Sequence, residues 1–148
     1  MKTFRSKSLE ETAKIAADWL TEISEKYEDR DEALVVGLSG HLGAGKTAFV
    51  KLIAKYLGVT ETVTSPTFVI MKIYQTKNEV WPRLVHIDAY RLERREELEA
   101  IRWEDLVADK NNLIMLEWPE NVELNKNDMD LSLGFEIKDG AYLISKTL

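Results

Sequence analysis

The sequence predicts an α/β fold: a mostly parallel central sheet with helices on both faces and an antiparallel hairpin at its C-terminal edge. Three observations carry this. Short apolar runs alternate with helical patterns along most of the chain. A glycine-rich turn joins the first such run directly to a helix. Two β-rich stretches at the end, Leu131 to Ile137 and Ala141 to Thr147, flank Asp139-Gly140, a dipeptide that favours a tight hairpin turn.

The elements follow in order. Ser8 and Glu11 form a capping box, and Leu9, Ala13, Ala16, Ala17, Leu20 and Ile23 then recur at helical spacing. Ala33 to Leu38 is a short apolar run that reads as a buried strand. A helix is expected from Lys46 to Leu57, stopped by Gly58. Phe68 to Tyr74 is β-rich, and Leu84 to Asp88 and Leu113 to Glu117 are apolar runs that each end in an acid. Between those two, Glu93 to about Asp109 reads as one charged helix with Leu98, Ile101 and Leu106 on one side.

Composition bounds the function. The 148 residues fit a single domain, 1–148, with a core of its own. There is no cysteine, hence no disulfide and no thiolate metal site. The start, MKTFRSKSLEET, lacks the apolar core of a signal peptide, and no apolar run reaches membrane-spanning length. A cytoplasmic chain is expected. The net charge of −6 argues against an unaided grip on nucleic acid. Arg91, Arg94 and Arg95 lie among glutamates and read as a solvated helix face, so any RNA role would run through a partner and no direct DNA contact is expected.

Gly40-His41-Leu42-Gly43-Ala44-Gly45-Lys46-Thr47 matches G-x-x-x-x-G-K-[ST] in full, with a strand before it and a helix after it. Glycines let the backbone turn so that successive N–H groups face an anion, and the helix N-terminus adds its dipole. Lys46 supplies a point charge for the outer phosphates, and the Thr47 hydroxyl is a hard ligand suited to Mg²⁺. The expected architecture is therefore a three-layer α/β/α P-loop NTPase fold.

Such a site needs an acid for magnesium and for the attacking water. Asp88 and Glu117 both stand at the C-terminal ends of strands, the edge where ligands bind in open α/β sheets. One would hold Mg²⁺ and the other orient water; sequence does not divide the roles. Thr64-Ser65-Pro66-Thr67 offers hydroxyls where a switch segment would sense the γ-phosphate, or is a plain loop entering a strand. Trp118 either shields the nucleotide or a partner face, or packs. His86 reads as a packed strand residue. Asn125 to Asp128 spells N-K-x-D, but no buried strand precedes it and no D-x-x-G segment accompanies it, so it reads as a polar loop rather than a guanine-reading motif.

Taken in order, GHLGAGKT, TSPTF (64–68), HIDAYRL (86–92) and LEWPEN (116–121) resemble the signatures of the TsaE (YjeE) family, small bacterial P-loop ATPases of tRNA threonylcarbamoyladenosine synthesis. The resemblance implies ATP or ADP with Mg²⁺ as ligands. It implies TsaB and TsaD as partners, with TsaD transferring the threonylcarbamoyl group and ATP hydrolysis resetting the complex between turnovers; tRNA is reached through that complex. By motif, Leu42, Gly43, Ala44, Gly45, Lys46 and Thr47 would bind phosphate, with Thr47 on magnesium. Glu117 and Asp88 would serve magnesium and hydrolysis alongside Lys46. Ser65, Thr67 and Trp118 would contact the nucleotide, and the N-terminal helix would add the region around Thr12.

Two positions depart from the family pattern. His41 stands where an aspartate is common, and no arginine follows Arg102, although the family often carries one in its last hairpin. The alternatives to an ATPase subunit are a small-molecule kinase, which shares the loop but needs arginines over the transferred phosphate, and a nucleotide-binding module without turnover.

Overall fold

The computed structural model describes residues 2–66 and 69–147, with backbone alone at 147. Thr67 and Phe68, both singled out above, lie outside the described residues. Strand β1 (Lys2–Ser6) precedes helix α1 (Leu9–Lys26), and strand β2 (Leu34–Gly40) leads into helix α2 (Lys46–Tyr56). Strands β3 (Met71–Gln75), β4 (Arg83–Asp88) and β5 (Asn112–Glu117) follow, with helix α3 (Trp103–Ala108) before β5. Strands β6 (Leu131–Lys138) and β7 (Ala141–Thr147) complete the fold.

One sheet takes the order β1-β7-β6-β2-β5-β4-β3. The neighbours β6, β2, β5 and β4 run parallel. The pairs β1/β7, β7/β6 and β4/β3 run antiparallel. The expected mostly parallel sheet is therefore corrected to a mixed one, with a parallel centre and antiparallel strands on both flanks. The C-terminal hairpin is also not the edge. Strand β1 covers β7, pairing Lys2 with Lys146 and Ser6 with Tyr142, and so satisfies the backbone groups that an outer β7 would expose. Strand β3 is antiparallel because the link from Gln75 to Arg83 is too short for the crossover a parallel pair needs.

Alternation along the strands divides the core between the two faces. Leu34, Val36 and Leu38 of β2 pack with Trp19 and Ile23 of α1 and with Phe49 and Ile53 of α2. Val35 points the other way and joins Val85, Ile114, Leu98 and Trp103. Trp19, Phe49 and Phe135 form an edge-to-face chain with successive centroids 5.5 Å apart, locking α2 to α1 and to β6.

The helix starts and stops follow local chemistry. Ser8 Oγ accepts from Glu11 N at 3.1 Å, and Glu11 returns the bond to Lys7 N at 2.9 Å. Gly58, at φ 83°, ends α2 as expected. The single charged helix over 93–109 is corrected. A 3-10 segment, Arg95–Ile101, is separated from α3 by Arg102 in the left-handed region, at φ 59°. Residues five apart in an unbroken helix diverge by about 140°. The turn at Arg102 lets both Leu98 and Trp103 reach the same core. The N-K-x-D loop is structural: Asp128 accepts two bonds of 3.0 Å from Arg95 and one of 3.1 Å from Asn125 N, docking the loop on the 3-10 segment. Among the described residues no helix is long and apolar enough to cross a membrane.

Candidate active site

The loop between β2 and α2 is shaped by close approach. A Cβ on Gly40 would stand 2.3 Å from the Phe135 carbonyl oxygen, so glycine is needed for β2 to stay in register with β6. Gly45, at φ 106°, caps α2 without a side-chain bond, and no acid lies in the first turn. Helix α1 is the contrast, with the Ser8 cap and with Glu10 and Glu11 in its first turn. The α2 N-terminus thus keeps its dipole and first N–H groups uncompensated by side chains, which suits an anion. Lys46 is buried; its Nζ donates to the Gly40 and His41 carbonyls and lies 4.5 Å from the Trp118 ring centroid. Burial holds its pKa below the ordinary lysine value, an effect that Glu117, Asp88 and Glu120 oppose without cancelling.

Strand parity brings the acids to this loop. In β4 and β5, Leu84, Leu113 and Met115 face the α1/α2 side. His86, Asp88 and Glu117 fall on the same parity, and Asp88 and Glu117 are register partners. All three are buried. The Thr47 hydroxyl donates to the two Glu117 oxygens at 3.0 and 3.1 Å. His86 Nε2 lies 2.6 Å from Glu117 Oε2. Asp88 Oδ1 accepts from Tyr90 N at 3.0 Å. Asn121 Nδ2 donates to the carbonyls of Ala89 and Tyr90, both at 3.1 Å, fastening the turn after β4 to the turn after β5. Tyr90 and Trp118 rings meet with centroids 5.3 Å apart.

Loop, acids and rings open on one pocket of about 690 Å³. Part of its lining is apolar, built from Phe135, Tyr142 and Ile144 of β6 and β7 and from Leu9 at the start of α1. Among the described residues, no three His, Cys, Asp or Glu side chains cluster closely enough to cage a cation alone. Thr47 and Glu117, with Asp88 beside them, are hard oxygen donors and could hold a divalent cation only with further ligands from outside the chain.

The family model described as "Threonylcarbamoyl adenosine biosynthesis protein TsaE" matches residues 6–142. The chain belongs to the TsaE family. The "tRNA threonylcarbamoyladenosine biosynthesis protein TsaE" of Streptomyces coelicolor is 38% identical over 110 residues, covering 72% of each chain. The Treponema pallidum protein of the same name is 35% identical over 130 residues, covering 86% of this chain and 87% of its own. A crystal structure of Bacillus subtilus YdiB superposes with a TM-score of 0.66 at 25% identity, covering 97% of this chain and 82% of that one.

In this TsaE family member the residues expected from sequence largely converge. Leu42 to Thr47, Ser65, Asp88, Glu117, Trp118 and Thr12 all line the one pocket. Thr12 does so with its hydroxyl already engaged, 2.6 Å from Ser6 Oγ and 3.2 Å from the Ser8 carbonyl. His86 is a packed strand residue as expected, but its bond to Glu117 was not foreseen, nor were the aromatic residues Tyr90, Phe135 and Tyr142 in the pocket lining. The signal for His86 was available: it stands two residues before Asp88, hence on the same face of its strand.

Proposed function

We propose that this chain binds ATP or ADP with Mg²⁺ and hydrolyses ATP as a subunit of the bacterial complex that makes N6-threonylcarbamoyladenosine at position 37 of tRNA (t6A37). It acts with TsaB and TsaD in the cytoplasm, supports or resets their turnover, and meets tRNA only through them. Its 148 residues form one P-loop NTPase domain of α/β/α layers. The observation that carries this reading is the 3.0 Å contact of Thr47 with Glu117 at an uncapped helix N-terminus, with Asp88 in register alongside.

The roles follow from position. The N–H groups at the start of α2 hold phosphate oxygens, and Lys46 adds a point charge among them. The Thr47 hydroxyl and the Glu117 carboxylate would hold the cation, and Asp88 and Glu117 would share cation binding and the orientation of water. Magnesium supplies charge neutralisation at the transferred phosphoryl group. Trp118 and Tyr90 close the site against bulk water. No arginine is among the described residues lining the pocket, which favours hydrolysis over a kinase that clamps its transferred phosphate with arginines.

Phosphate release from Mg·ATP, measured with and without TsaB and TsaD, tests the reading. Lys46→Ala should lose nucleotide affinity or hydrolysis, and Glu117→Ala should lose turnover more than binding. Tight ATP binding with no release under either condition would replace the ATPase with a binding module.

A further inference from the structure

We propose that His86 is a positioning residue: through its hydrogen bond it holds the Glu117 carboxylate in the orientation that serves the cation. The proposal rests on the nucleotide-site reading above and adds a residue to it.

The imidazole is fully buried, and its Nε2 lies 2.6 Å from Glu117 Oε2. Its other nitrogen, Nδ1, is also buried and has no hydrogen-bond partner among the described residues. Among these residues the ring therefore spends its one polar contact on Glu117. A carboxylate that receives the Thr47 hydroxyl proton can only accept from the ring, so Nε2 carries the hydrogen. As packing alone, the residue is a poor choice: burying an imidazole with a bare nitrogen costs more than burying a leucine. The burial makes sense if the bond to Glu117 is what is needed.

The geometry gives that bond a task. Among the described residues Glu117 is held by two donors, Thr47 through a bond shared by both oxygens and His86 through Oε2 alone. A Thr47 hydroxyl that also gave a lone pair to a cation would have to reorient to do so, whereas the bond from His86 to Oε2 needs no such change. The ring therefore holds Oε2 fixed while the hydroxyl adjusts. Such outer partners of metal-binding carboxylates orient them, and their loss typically weakens metal affinity or activity about 10–100-fold.

The test uses three substitutions in the full chain. In His86→Gln the side-chain amide N–H reaches about as far as Nε2; in His86→Asn an amide of the same polarity stops near the position of Nδ1; His86→Leu removes the donor. ADP affinity is measured by calorimetry in Mg²⁺ and in EDTA, with circular dichroism melts as the check on folding. The Mg²⁺-linked gain in affinity should fall about tenfold or more in Asn and Leu and survive in Gln, while affinity in EDTA stays unchanged in all three. If Leu does not fold, the Gln and Asn pair carries the comparison. Equal behaviour of Gln and Asn overturns the proposal. So does a parallel loss in Mg²⁺ and EDTA, which is the mark of general damage, or a wild-type chain that binds ADP without any gain from Mg²⁺. A wild-type chain that binds no ADP in either condition overturns instead the nucleotide reading beneath it.

Discussion

Replacing Phe49 by leucine should cost about 2–3 kcal/mol. Phe49 is 1% exposed and stands between Trp19 and Phe135, edge to face with each. Each such pair contributes roughly 0.5–1.5 kcal/mol beyond area burial, so losing both removes about 1–3 kcal/mol. The smaller side chain leaves roughly 25 Å³ unfilled, worth about 0.6 kcal/mol at about 24 cal/mol per Å³. For a chain of this size each kcal/mol moves the melting temperature by roughly 2–4 °C, so a drop of about 5–10 °C is expected. Urea denaturation with a calorimetric melt measures both quantities. Phe135→Leu should cost less in the Phe49→Leu background than alone, because the pair is already broken. A melting temperature within about 2 °C of wild type, with unchanged cooperativity, would refute the claim that this aromatic chain locks the loop-bearing helix.

Gly40→Ala places a Cβ against the Phe135 carbonyl oxygen; it should cost roughly 1–3 kcal/mol by urea titration and weaken ADP binding by displacing the loop. Arg102→Gly relieves a left-handed non-glycine residue and should raise stability by about 0.5 kcal/mol by the same titration, the gain being reduced by the freedom glycine has when unfolded. Asp128 is held below the ordinary aspartate pKa of 3.8 by its bonds from Arg95 and then from Asn125 N. Its contribution is therefore complete above that value and is lost as pH falls below it, through the lower pKa of the folded state. Asp128→Asn should cost about 0.5–1 kcal/mol at pH 7, and the gap between the two melting curves should close in acid.

The legible parts of this chain were those whose signal is local. The glycine-rich stretch spells its own turn, and the caps at Ser8 and Gly58 are read within a few residues of the helix ends they fix. Asp88 and Glu117 were found because apolar strands ended in acids, and the shared register then set them side by side. What was missed depends on distant residues. Strand β1 is a short polar stretch that becomes a strand only against β7, at the other end of the chain. The mixed sheet follows from strand order, which no single segment encodes. The break at Arg102 answers to where Leu98 and Trp103 must point, and an arginine gives no warning of a positive φ. The face His86 shares with Asp88 was legible, but its partner Glu117 lies 31 residues away and no local signal pairs the two.

The apolar wall has a consequence for the chain as it is made. Synthesis runs from the N-terminus, so the phosphate loop is present once Thr47 has emerged, and both acids are present by Glu117. The apolar wall draws on Phe135, Tyr142 and Ile144, and β6 and β7 must first seat beside β2 and β1. A ribosome-bound chain therefore owns every charged group of the pocket before it owns a closed one. A ligand stabilises only what it binds. On the nucleotide reading proposed above, a ligand that needs this apolar wall would stabilise the chain only after β6 and β7 have seated, although every charged side chain of the pocket precedes them in sequence.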